Sequence, residues 1–90
     1  MIYKMSKSEK FVQKVLPAQS DKNIEFQELR NLMLSLGFHE RIKGSHHIYY
    51  KEGIEEIINL QSKQHKAKPY QVKQVRTFVI KYKLISFDNE

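Results

Sequence analysis

The sequence has no cysteine and no tryptophan, and only three glycines and two prolines. Without thiols there is no disulfide framework, thiol nucleophile, Cys-ligated zinc or iron–sulfur cluster. Glycines at 37, 44 and 53 alone cannot build a glycine-rich phosphate loop. No apolar run approaches the roughly 20 residues that span a bilayer, so no membrane partner is expected. Residues 1–10 lack the apolar stretch of a signal peptide, which makes a cytoplasmic protein the expectation. At 90 residues the chain reads as one small domain. A domain of that size buries only roughly 60–70% of its unfolded surface. It has room for one thin core and little for a deep cofactor pocket, and no cofactor is expected.

Positive charge is what the sequence does have. Sixteen Lys and Arg face ten Asp and Glu, a formal net charge of +6. Residues 61–90 hold seven of the basic residues and two acids, and no acid lies between Gln61 and Phe87. Residues 38–60 are slightly acidic, through Glu52, Glu55 and Glu56. Such an excess points to a polyanionic partner. A solvated helix face and loop account for it as well.

Hydrophobic spacing organises the chain. Phe11, Val12, Val15 and Leu16 form one helical stripe from about Ser8, a candidate N-cap, to Leu16, where Pro17 disfavours continuation. A polar connector follows over residues 18–23. Phe26, Leu29, Leu32, Met33 and Leu36 mark a second helix, with Gly37 where a left-handed C-cap is expected. Its start is less well marked, Glu25 being a mediocre cap. Residues 38–43 alternate, with Phe38, Glu40 and Ile42 expected on one strand face. Gly44-Ser45 turns into a second strand over His46–Lys51. Glu52-Gly53 turns into a third over Glu56–Leu60. Connections this short require an antiparallel meander. Gln61–Lys68 reads as a basic loop. Pro69 suits the first turn of a last helix to about Lys83, with Val72, Val75, Phe78, Val79 and Tyr82 on its apolar face. The predicted class is α+β, helices on one face of a three-stranded antiparallel sheet. Residues 1–23 form the N-terminal helix and connector, 24–84 the core, and 85–90 a loose tail.

Chemistry concentrates in few places. His46 and His47 follow the Gly44-Ser45 turn, and adjacent strand residues point to opposite faces, so the two do not share one role. A single histidine can act as general base or acid near neutral pH. Two ordinary strand residues are the bland alternative. Ser45 beside His46 is no triad, since no nucleophile-elbow motif surrounds it. A metal site is not expected, because no histidine pair has the helical i,i+4 spacing and thiolates are absent. Tyr70, among Lys66, Lys68 and Lys73, suits base stacking. Tyr49 and Tyr50 suit packing in the core or at its edge.

Leu29–Leu36, Gly37-Phe38, Arg41-Ile42-Lys43 and Gly44-Ser45-His46-His47-Ile48-Tyr49 together resemble the HicA toxin family. There a helix ends in Gly-Phe, a basic strand follows, and Gly-Ser-His-His leads into an aromatic strand. Lys68-Pro69-Tyr70-Gln71-Val72-Lys73-Gln74-Val75-Arg76 resembles a longer subgroup of that family with an added N-terminal helix. The likeness covers about residues 7–84. It implies a double-stranded-RNA-binding-domain-like fold, α-β-β-β-α after the extra helix. It also implies a metal-independent endoribonuclease, an mRNA interferase, of a toxin–antitoxin system, with mRNA and a HicB-type antitoxin as partners. The family's essential histidine matches His46, and the glycine before it matches Gly44. One departure is visible: shorter members carry a second histidine after the third strand, where this chain has Gln61.

The expected mechanism uses the RNA's own 2′-hydroxyl as nucleophile, with His46 as base. Gly44, Ser45 and Lys43 position the substrate, and Lys43 and Lys68 steady charge on the phosphorane. The acid is left open between His47 and water. Lys63, Lys66, Lys68, Tyr70, Lys73 and Arg76 are the candidate RNA-binding residues. A non-catalytic RNA-binding module on the same fold is the alternative.

Overall fold

The computed structural model describes residues 7–84. The expected tail over residues 85–90 lies outside the described residues. α1 already includes Lys7, so Ser8 lies within the helix and is not its N-cap. The elements are α1 (Lys7–Val15), a 3₁₀ turn (Asp21–Asn23), α2 (Phe26–Ser35), β1 (His39–Lys43), β2 (His46–Lys51), β3 (Ile54–Leu60), β4 (Ser62–Lys63), β5 (Lys66–Ala67) and α3 (Pro69–Lys81). The architecture is α+β. β1, β2 and β3 form an antiparallel sheet in that order, and β4 and β5 form a small second one.

Local chemistry explains the boundaries. α2 begins after Glu25, whose N–H donates to the Glu28 carboxylate at 3.2 Å. That contact is half of a capping box, and it supplies the start signal that Glu25 alone lacked. At the other end Gly37 takes φ +89°. Gly37 N–H then reaches the Leu34 carbonyl at 3.0 Å and Phe38 N–H reaches the Met33 carbonyl at 3.2 Å. This is a Schellman ending, with Phe38 and Met33 both buried beside it. The Lys51 ammonium donates to the Leu36 carbonyl, placing positive charge at the helix C-terminus.

One core joins all layers. Tyr49, Ile58 and Leu60 from the inner sheet face meet Leu29, Leu32 and Met33 of α2 and Val72 and Val75 of α3. Val12 and Val15 bring α1 into the same core. Its connector is tied down by Arg76, which donates to both Asp21 carboxylate oxygens, at 3.0 and 3.2 Å, and to the Val15 carbonyl at 3.1 Å.

Three expectations change. β3 begins at Ile54 rather than Glu56. Ile42, expected on the buried face, is 54% exposed, since β1 is an edge strand with a neighbour on one side only. The stretch read as a loop over Gln61–Lys68 contains the β4–β5 hairpin, turned at Gln64 (φ +52°) and His65 (φ +68°). Two consecutive left-handed residues are the type I′ pattern that matches strand twist. The hairpin is fixed by backbone bonds from Ala67 N–H to the Ile24 carbonyl and from Phe26 N–H to the His65 carbonyl, each 2.9 Å. Backbone pairing of this kind leaves no hydrophobic alternation to read.

Inside the sheet sits one charged cluster. The Glu40 carboxylate accepts from Arg30 at 2.7 and 2.9 Å and from the Tyr49 hydroxyl at 2.6 Å, with His47 Nδ1 at 3.3 Å. The Arg30 guanidinium, aided by Tyr49 and His47, pulls the Glu40 carboxyl down to about 2 against burial. Burial pushes the Tyr49 phenol up, and the neighbouring carboxylate adds to this. Because the folded value lies below the ordinary 4.5, this stabilisation is complete above about pH 4.5 and is lost as pH falls toward 2. Glu40→Gln is expected to cost about 2 kcal/mol at pH 7. It should also flatten the acid limb of stability against pH. Urea unfolding at pH 7, 4 and 3 measures both, and an unchanged acid limb excludes Glu40 as its origin.

Candidate functional site

Gly44 and Ser45 link β1 to β2, and of the two only Gly44 has positive φ, +60°. Glycine at the first central position with an ordinary residue at the second is the type II′ signature. The turn pairs Lys43 directly with His46. His46 therefore stands at the hairpin end of the sheet, exposed, on the face opposite the core. His47 points the other way, 19% exposed, with its ring edge-on to Phe26 at 4.9 Å and its Nδ1 on Glu40. This removes His47 as a proton donor beside His46.

His46 Nδ1 lies 3.1 Å from Asn59 Oδ1, across on β3. An amide oxygen only accepts, so the contact favours the neutral tautomer with its hydrogen on Nδ1 and its lone pair on Nε2. A neutral partner thus sets the tautomer of the candidate base without adding charge.

Behind the turn runs a chain of amides. Gln61 Nε2 donates to Ser45 Oγ at 2.8 Å, and Lys68 Nζ donates to Gln61 Oε1 at 3.3 Å. Gln71, 2% exposed, accepts from Gln61 N–H at 3.3 Å through Oε1. Its Nε2 reaches the Asn59 carbonyl at 3.5 Å. Gln71 thereby fastens the end of β3 to α3 and holds both residues that touch the turn. So Lys68, the residue before α3, is brought to the Ser45 side of the turn, and Lys43 flanks His46 on β1.

The remaining candidates are dispersed. Lys63 is exposed in β4, Lys66 is ion-paired with Glu25, and Tyr70 is 64% exposed at the start of α3. Lys73 is exposed on α3. The Arg76 guanidinium is committed to Asp21 with 12% of its side chain exposed, so the structure gives it an anchoring role and does not bring it to the others. A groove of about 410 Å³ between α1 and α2, lined by Lys10, Phe11, Lys14 and Asn31 among others, touches none of the site residues. Among the described residues no group of three His, Asp or Glu is placed to hold a metal ion, and no helix is long and apolar enough to cross a membrane.

Asn59 and Gln71 escaped the sequence reading. Asn59 is a single polar position between Ile58 and Leu60, as expected of any outward strand residue. Gln71 had a better signal: it falls four residues before Val75, on the buried stripe of α3, where a polar side chain needs partners. No model of a known protein family matches this chain, nor does any curated protein or solved structure.

The Asn59 contact has a direct spectroscopic consequence. Replacing Asn59 by Leu removes the acceptor, so the share of neutral His46 carrying its hydrogen on Nδ1 should fall. Long-range proton–nitrogen correlation spectra of the imidazole report that share. An unchanged tautomer ratio in Asn59→Leu refutes the assignment.

Proposed function

We propose that the chain is a metal-independent endoribonuclease that cleaves mRNA, a HicA-type toxin held in check by a HicB-type antitoxin. The observation that carries this reading is the setting of His46. It is exposed at a glycine turn, its Nδ1 is occupied by Asn59, Lys43 is its direct cross-strand neighbour, and Lys68 is tied through Gln61 to the adjoining Ser45. Apart from the short β4–β5 hairpin, the order after α1 is α-β-β-β-α, compatible with the double-stranded-RNA-binding-like fold that the sequence resemblance implies.

On this reading Nε2 takes the proton of the RNA 2′-hydroxyl, and that oxygen attacks the adjacent phosphorus. The Lys43 and Lys68 ammonium groups offset charge on the phosphorane oxygens. The 5′-oxygen leaves and takes a proton from water, since His47 faces the interior, and the hydroxide so formed takes the proton held on Nε2, which restores the neutral imidazole. The products are a 2′,3′-cyclic phosphate and a 5′-hydroxyl end. A substrate that carries its own nucleophile suits a domain with no deep pocket at this site.

The alternative, a non-catalytic RNA-binding module, has one observation in its favour. Gln61 stands beside Ser45 where shorter HicA proteins carry a second histidine, so His46 works without a second imidazole from that position. Expression in bacteria separates the two readings. The enzyme predicts arrested growth and fragmented mRNA for the wild type, and neither for His46→Ala. In vitro, His46→Ala should lower cleavage by about 10²–10⁴-fold while RNA affinity is kept, because only proton transfer is removed. EDTA should leave the wild-type rate unchanged. His46→Ala cutting at the wild-type rate sinks the assignment, and harmless wild-type expression with salt-sensitive RNA binding supports the module.

A further inference from the structure

The outer face of the sheet carries three directly opposed pairs in sequence: Lys43 with His46, Arg41 with Ile48, and His39 with Tyr50. Strand alternation puts all of them on the side away from the core. His39 and Tyr50 stack with ring centroids 5.2 Å apart and planes 28° from parallel, and Tyr50 remains 45% exposed. A large ring normally contributes by burial, so an exposed stacked pair is a π surface left open. The chain has three arginines. Arg30 and Arg76 are held in bidentate pairs with Glu40 and Asp21, whereas Arg41 is exposed and in no ion pair among the described residues. Lys43 is likewise exposed and unpaired. Glu55, the one carboxylate that alternation brings to this face, lies at the Tyr50 end, away from His46.

We infer that this face is a track for single-stranded RNA: the strand runs along β1 and β2 from His46 toward Tyr50, with a phosphate on Arg41 and a base stacked on the His39–Tyr50 pair. The inference rests on the ribonuclease reading for the identity of the polyanion. Each two-residue step along a strand advances about 7 Å, which suits one extended nucleotide. The stacked base is therefore about two nucleotides from the phosphate at His46. Cations stand at the cleavage end, where phosphates must be held, and aromatic rings with a carboxylate at the far end, where a base fits better than a phosphate. Sequence preference of the enzyme then arises partly at that distant base, through stacking strength.

The test uses the full chain and a fluorescent 2′-O-methyl RNA of about ten nucleotides, long enough for one such surface and unable to supply a nucleophile. Binding is read by anisotropy across salt concentrations. Tyr50→Ala should weaken binding about tenfold, and Tyr50→Phe should keep it within about twofold. Arg41→Ala should reduce the slope of log affinity against log salt by about one. It also carries the test if Tyr50→Ala fails to fold. Wild-type binding by both Tyr50→Ala and Arg41→Ala overturns the track. So does normal RNA binding with loss of affinity for the antitoxin, which assigns the face to a protein. A wild type that binds through Tyr50 and Arg41 yet leaves unmodified RNA intact keeps the track and removes the enzyme. Unmodified RNA cut equally by wild type and Tyr50→Ala, with equal binding, does the reverse.

Discussion

The Glu40 carboxylate holds the sheet to α2. It takes both prongs of Arg30 from the helix, the hydroxyl of Tyr49 from β2, and a contact from His47. These bonds fix which residues of β2 face inward. A slip of one residue in β2 would turn Tyr49 to solvent and His46 to the interior, taking the Tyr49 hydroxyl and the His47 contact from Glu40 and leaving it with Arg30 alone. Stripping those hydrogen bonds from a shielded carboxylate and turning Tyr49 out of the core outweighs the side-chain preferences of an exposed sheet face. The exposed position of His46 is therefore a consequence of chemistry on the other side of the same strand.

A second constraint acts at the hairpin end. β3 stops at Leu60, and its last backbone groups would be left open where the chain turns toward β4. Gln71 closes them from α3, accepting from Gln61 N–H and reaching the Asn59 carbonyl. The side chains of those same two residues touch His46 and Ser45. One buried amide thus connects the packing of α3 to the geometry of the candidate base. Support of this kind, from a side chain that touches no substrate, is what keeps a surface site within the narrow geometry that proton transfer needs.

The parts legible in the sequence are those written as periodicity or turn chemistry. The α2 stripe and Gly37 marked that helix and its ending. Gly44-Ser45 and Glu52-Gly53 marked two hairpins, and alternation placed His46 and His47 on opposite faces. Pairing between backbones was not legible, so β4 and β5 were missed. Charge was legible only as a sum over residues: Arg76 and Lys66 counted toward a basic surface, yet Asp21 and Glu25, far away in sequence, neutralise them. Long-range ion pairing subtracts from a linear charge map in a way that no window along the chain can anticipate. Arg41, counted in a segment with net negative charge, is the arginine that makes no ion pair among the described residues.

The sheet's two faces divide the work between strong and weak electrostatics. On the inner face charges are few, shielded from solvent and bonded, and they hold the register. On the outer face Arg41, Lys43 and His46 sit in water, where each charge acts through a high dielectric and is screened by salt. No single exposed cation can supply much transition-state stabilisation there until a bound strand displaces water from around it. On the proposed reading the polyanion itself completes the site, covering His46 and lowering the local dielectric as it lies along β1 and β2. Rate and affinity in such a protein are coupled, because contacts distant from the cleaved phosphate create the conditions in which the histidine and the lysines act. A small domain without a deep pocket at this site would then obtain from its substrate the enclosure that a larger enzyme builds from its own chain.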